Sequence, residues 1–236
     1  MEGLVFVAIA LALGAFLVLG YLADKKRREE LMRFALSKQW RYDAEDPSLV
    51  VFAQGPPFGQ GDSQRARNVL HGSASGFDMV AFDYSYETHS TDAKGNRTTT
   101  THRYSVAGLR LPAYLPTLQV TGESVFHKAA ALLGFDDIEL ESDEFNQRFH
   151  VSAGDRKFAC DVLTPRTMQT LLTCPQTSWR IEGPLILSWE SGRLTPVDLL
   201  GRLSTLSAVV AGVPSFIWRD HGVPDAGDPT TGRPAS

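Results

Sequence analysis

Residues 3–23 form one uninterrupted apolar run, GLVFVAIALALGAFLVLGYLA, and the chain turns charged at once with Asp24 and the four cations Lys25, Lys26, Arg27 and Arg28. A helix rises about 1.5 Å per residue, so a run of this length covers roughly 30 Å, the thickness of a bilayer's hydrocarbon core. The flanks orient it. Met1 and Glu2 carry no positive charge and four cations follow, so the positive-inside rule places the short N-terminus outside and the rest of the chain in the cytoplasm. A cleaved signal peptide would need a basic start, a shorter apolar core and a small-x-small cleavage site. Here the start is acidic, and a basic cluster stands where cleavage would fall. The expected organisation is a transmembrane anchor over 1–23, a juxtamembrane helix and linker over 24–46, a soluble domain over 47–220 and a tail over 221–236.

The soluble part is long enough for one domain with its own core. The tail, HGVPDAGDPTTGRPAS, offers almost nothing to bury and reads as disordered. Two cysteines, Cys160 and Cys174, are too few for a disulfide scaffold and agree with a reducing cytoplasm. The chain carries a net charge of −4, with its cations concentrated beside the apolar run. That balance argues against nucleic acid as a partner, because a phosphate backbone needs a basic face. Lys25, Lys26, Arg27 and Arg28 are candidate membrane-surface residues for anionic lipid heads, besides setting topology.

Helical spacing of Leu31, Met32, Ala35 and Leu36 predicts that the span continues as a helix over 24–40. Residues 41–47 read as a polar connection, 49–52 as a short strand and 54–63 as a Gly/Pro-rich loop. Residues 67–73, 77–89 and 97–111 are predicted strands, the first two joined by a Ser75-Gly76 turn. A two-residue turn at Gly95-Asn96 would pair Val80 with Leu111, Phe82 with Leu109, Tyr84 with Ala107 and His89 with His102. The far end of this hairpin is almost wholly polar and is expected to project into solvent. Pro112 and Pro116 are expected to close the unit, with 117–121 able to form a further strand. Helices are predicted over 123–133, from Ser142 as N-cap, over 165–172 from Thr164-Pro165, and over 197–210 from Thr195-Pro196. Residues 149–152 and 158–162 read as strands, and 178–181 with 185–190 as a second hairpin. The order of elements gives an α+β fold, a mainly antiparallel sheet with three packed helices behind an N-terminal transmembrane helix.

Catalytic patterns are scarce. The G-x-S-x-G arrangement fails at residues 72–76, where the central residue is Ala74. There is no P-loop, no dinucleotide fingerprint and no H-E-x-x-H. The acidic stretch from Asp136 to Glu144 lacks calcium-loop spacing and reads as a solvated loop. Cys160, inside an expected strand, and Cys174 read as structural thiols. Weak metal candidates are Glu87, His89 and His102, which the two-residue turn would gather on one face.

The segment 141–172, ESDEFNQRFHVSAGDRKFACDVLTPRTMQTLL, carries Glu144-Phe145, Phe149, Val151, Ser152, Asp155, Leu163-Thr164-Pro165, Met168 and Leu171-Leu172. It resembles a family of bacterial, mainly actinobacterial, membrane-anchored proteins of unassigned function, whose members show an E-F-x-x-x-F-x-V start, a Ser and an Asp, and an L-T-P-x-x-M-x-x-L-L helix. Residues 65–218 resemble the group more loosely, through the strand Val80–Tyr84, the Thr-rich hairpin and Leu111-Pro112. The chain departs from the pattern at Cys160, where an acidic residue is more usual. The resemblance implies an anchored domain near the membrane and brings no catalytic residue or cofactor.

The expected function is a single-pass membrane protein with a non-catalytic cytosolic interaction or scaffold domain. Its partners would be the bilayer, anionic lipid heads and a protein, with no cofactor. The alternative is a hydrolase or metal-dependent enzyme with a site around residues 77–111, built from Asp83, Glu87, His89 and His102.

Overall fold

A computed structural model describes residues 2–122, 138–174 and 178–223, and for residues 2–10, 12 and 13 the backbone alone. The predicted helix over 123–133, the first two acids of the acidic stretch and the tail from residue 224 lie outside the described residues. The architecture is α+β, with a mainly antiparallel sheet and several helices, as the sequence predicts.

The chain begins with a single 36-residue helix, α1 (Glu2–Ser37), so the apolar run and the charged segment after it share one unbroken axis. Among the described residues no helix is long and apolar enough to cross a membrane. From Gly14 to Ala23 every side chain of α1 is exposed. α1 stops at Gln39, whose φ of 59° is left-handed, while the Trp40 N–H reaches back to the Ala35 carbonyl at 2.8 Å. The Trp40 N–H thus joins the Lys38 N–H, at 3.0 Å, on one carbonyl of the last turn. Gly72 lets the Trp40 indole lie flat on the sheet, since a Cβ there would sit 2.1 Å from Cδ1 of the indole.

Residues Arg41–Glu45 form strand β1, where a polar connection was expected, because they pair with the edge of the next strand. Pro47–Val51 is a 3-10 turn rather than the predicted strand. Asp46 caps it through the Ser48 N–H, and Pro47 suits a first helical position. Strand β2 (Asp62–Ala74) turns through Ser75 and Gly76, both at positive φ as a type I′ turn requires, into β3 (Phe77–Thr91). Strand β4 (Arg97–Gly122) follows.

The β3–β4 register differs from the expected one. Phe82 pairs with Val106, Tyr84 with Tyr104, Tyr86 with His102 and His89 with Thr99. The cause is the turn. The Asp92 carboxylate accepts from the Lys94 and Asn96 N–H groups and from the Asn96 side chain, so residues 92–96 form a five-residue loop and the strands close at Thr91 and Arg97. Three residues of slip is an odd number, so side chains change faces relative to the expected pairing.

β4 does not end at its prolines. It pairs with β3 over its first half, with β5 (Phe149–Ala153) at its far end, and along its other edge with β6 (Ser178–Ser191). Pro112 and Pro116 fall where the β4–β6 ladder shifts register, the places where a missing N–H costs no ladder bond. β6 is likewise one bent strand, not a hairpin, because Gly183 at φ 58° takes up the register change opposite Leu115.

The remaining helices are α2 (Asp143–Arg148), capped by Ser142 as predicted, α3 (Arg156–Val162), α4 (Pro165–Thr173), α5 (Pro196–Gly212) and α6 (Ser215–Asp220). α3 replaces an expected strand. The Asp155 carboxylate accepts from the Lys157 and Phe158 N–H groups, and Phe158 and Val162, four apart, bury on one helix face.

The sheet separates two cores. On one face Met79, Ala81, Ala107 and Leu109 pack with Leu31 and Ala35 of α1 and with Leu199, Leu203 and Leu206 of α5. On the other, Phe82, Tyr84, Val106 and Trp189 are covered by Leu49 and Phe58 from residues 47–61. Arg180 pins that cover by donating to the Gln54 and Pro56 carbonyls and to Gln119, while it pairs with Glu182 and stacks on Trp189 at 5.2 Å.

The hairpin beyond Glu87 is exposed as expected, and its side-chain hydrogen bonds are local, Thr88 Oγ1 to His102 Nε2 at 2.9 Å and His89 Nδ1 to Thr99 Oγ1 at 2.9 Å, with His89 also 3.9 Å from the exposed Asp62. Removing residues 89–99 and joining Thr88 to Thr100 through Asn-Gly is expected to change stability by no more than about 1 kcal/mol. A urea titration checks this, and a larger loss would mean that the tip is packed.

Candidate functional site

The structure concentrates its polar side chains where α1 leaves the sheet. Asp83, on the helix-facing side of β3, is the hub. Arg27 Nη2 donates to its two carboxylate oxygens at 2.7 and 2.6 Å, Asn68 Nδ2 donates at 2.7 Å, and the Leu194 N–H donates at 2.7 Å. Arg27 also donates to the Leu194 carbonyl at 3.0 Å. Asn68, at φ 51° in a bulge of β2, accepts from the Tyr42 hydroxyl at 2.8 Å. One residue before Leu194, Arg193 pairs with Asp24. α1, β1, β2, β3 and the turn after β6 are therefore tied together through one carboxylate and its neighbours. With four hydrogen bonds from three donors on its two oxygens, Asp83 is fully engaged as an acceptor.

Next to this hub lies a groove of about 310 Å³ between α1 and the sheet. One wall is Asp24, Arg27 and Arg28; the floor carries Arg65, Arg67 and Arg103, with Glu87 and Thr101 toward the hairpin end. Six arginines line it against three carboxylates. The sheet register explains the convergence. Arg65, Ser85 and Arg103 form one row across β2, β3 and β4, and Arg67, Asp83 and Ser105 the next. Paired residues share a face, so these side chains rise on the side where α1 lies. Three of the arginines have intramolecular carboxylate partners: Arg27 with Asp83, Arg193 with Asp24, and Arg67 with Glu45 at 3.9 Å. Arg28, Arg65 and Arg103 are exposed and form no ion pair among the described residues.

Near this hub, Arg202 of α5 is buried, donating to the Ser105 carbonyl at 2.8 Å with its Nε and Nη2 unmatched. Burial lowers the pKa of its guanidinium, and the nearby Glu190, Asp198 and Asp83 charges oppose that shift.

The predicted site residues separate. Lys25, Lys26 and Arg28 are exposed, but Arg27 is turned inward to Asp83 and is not a free surface cation. Glu87 and His89 share a face, with His89 3.9 Å from Asp62, while His102 lies on the opposite face, stacked on Tyr86 at 4.7 Å between ring centres. The expected opposition of His89 and His102 is thus corrected by the register. Among the described residues no three His, Cys, Asp or Glu side chains are gathered as metal ligands. Cys160 is exposed on helix α3 rather than set in a strand, and Cys174 is half-buried. Sequence reading missed Arg65, Arg103 and Arg193. The alternating Arg65-x-Arg67 was the available signal, and it points to the groove only once the β3–β4 register is known.

No family model matches the sequence, and no curated protein is similar to it. A solved structure of similar fold is that of the mycobacterial trehalose monomycolate transport factor A, with a TM-score of 0.56, 13% sequence identity, and coverage of 79% of this chain and 96% of that one. At this identity the likeness is one of fold.

Proposed function

We propose that this chain is a single-pass membrane protein whose α+β domain, held in the cytoplasm against the inner surface of the bilayer, is a non-catalytic interaction module. The observation that carries the reading is α1. Its side chains from Phe16 to Leu19, which point in every direction around the axis, are all exposed, between 57 and 74%. A helix apolar all round belongs in a core or in lipid, and among the described residues no core covers this one. The same helix runs without a break into the Arg27–Asp83 clamp, so the apolar segment and the sheet are joined stiffly. The cations that follow the run favour a cytoplasmic domain.

The non-catalytic part of the reading is supported by Asp83. This carboxylate of the groove lining is saturated by structural donors, which suits a clamp and leaves no lone pair for acid–base work. The similar fold belongs to a protein described as a transport factor, which supports an accessory role beside other membrane components. Membership of the actinobacterial membrane-anchored group with the E-F-x-x-x-F-x-V motif is part of the same proposal.

Fractionation tests it. The full chain is expected in the membrane pellet after a high-salt wash, a chain lacking residues 1–23 is expected in the supernatant, and a C-terminal reporter active only in the cytoplasm is expected to be on. Release of the full chain by salt, or a reporter active only outside, overturns the anchor or its orientation respectively.

A further inference from the structure

We infer that the groove between α1 and the sheet is a binding site for the phosphate of an anionic lipid headgroup. The first ground is charge. Arg28, Arg65 and Arg103 carry guanidiniums that form no ion pair among the described residues, gathered with three further arginines against only three carboxylates, Asp24, Asp83 and Glu87, in a chain of net charge −4. Arg65 and Arg103 sit on either side of Ser85 in one cross-strand row, roughly 10 Å apart at the backbone, a span their long side chains close over a single anion. Unpaired guanidiniums held this close repel one another, and a phosphate relieves that repulsion while accepting bidentate N–H pairs.

The second ground is position. The groove's wall begins at Asp24, the residue directly after the apolar run, so its mouth stands at headgroup level when the run is in the bilayer. Its 310 Å³ is at the small end of ligand pockets, enough for a headgroup and not for an acyl chain. The site rests on the anchored reading for its source of ligand, and it differs from loose contact by the flanking Lys25 and Lys26, which lie outside the groove.

The test is thermal unfolding of the full chain in neutral detergent micelles, titrated with short-chain phosphatidylglycerol, short-chain phosphatidylcholine or inorganic phosphate. Phosphatidylglycerol at ten times its dissociation constant is expected to raise Tm by about 3–5 °C. The Arg65→Gln/Arg103→Gln chain is expected to lose that shift while keeping its unliganded Tm, since both side chains are exposed. The Lys25→Gln/Lys26→Gln chain is expected to keep it. An equal shift from inorganic phosphate would assign the site to free phosphate and overturn the lipid. An equal shift from phosphatidylcholine, no shift at all, or loss in the lysine variant but not in the arginine variant overturns the groove. Because the micelle assay needs no membrane insertion, its outcome is independent of the fractionation result.

Discussion

Asp83→Ala is expected to destabilise the fold by about 2–4 kcal/mol and to free α1 from the sheet. The change strands three donors at once: Arg27 loses its carboxylate, Asn68 keeps only Tyr42, and the Leu194 N–H is left without its acceptor. A fully buried pair costs about 3–5 kcal/mol to break; here the side chains are 21% and 16% exposed, so water recovers part of the loss. Guanidinium unfolding of the full chain in micelles reads the stability, and hydrogen exchange over residues 27–37 reads the release of the helix. Asp83→Asn, which retains an acceptor oxygen, should recover part of both. A loss below about 0.5 kcal/mol for the alanine change would show that α1 is held by Leu31 and Ala35 alone.

Arg180→Ala is expected to cost about 3–5 kcal/mol and to act on the opposite face. The side chain is 1% exposed, and burial lowers its pKa against the opposing pull of Glu182. Its loss leaves the Gln54 and Pro56 carbonyls and Gln119 without their donor and uncovers one face of Trp189. The cover over Phe82 and Tyr84 then keeps its Phe58 contact, at 4.8 Å between ring centres with Tyr84, and the bond from the Gln54 N–H to Glu182 at 2.9 Å. Exchange protection should therefore fall first in residues 52–58, with α1 unaffected. Equal loss of protection on both faces would mean that the two cores unfold as one unit.

Local chemistry was legible wherever a single residue decides an element. Ser142, Thr164-Pro165 and Thr195-Pro196 announce helix starts because a side-chain oxygen or a missing N–H acts within three residues. Most of the recognisable 141–172 motif proves to be such parts: Asp155 and Thr164 are caps, and Phe145, Phe149, Val151, Met168 and Leu171 are core. Asp155 caps a helix where residues 158–162 read as a strand. What was not legible depends on partners distant in sequence. The strand character of Arg41–Glu45 exists only because β2 is beside it, and β4 passes two prolines because β6 tolerates a register change there. The groove is the extreme case. It joins Arg27 and Arg28 with Arg65, Arg67, Arg103 and Arg193, and it depends on a register that the Asp92 carboxylate sets from the hairpin's far end.

The Arg27–Asp83 clamp has a mechanical consequence. Trp40 lies against Gly72 and Arg27 against Asp83, so following α1 toward its N-terminus leads the same way along the sheet as following β3 toward its tip. The apolar segment and the Thr-rich hairpin are thus two arms leaving one fulcrum toward the same side. Between fulcrum and apolar arm the helix has no proline and no break; between fulcrum and hairpin tip run eight strand residues, roughly 26 Å. The polar turn Asp92–Asn96 is thus carried to the side of the domain from which the apolar arm departs.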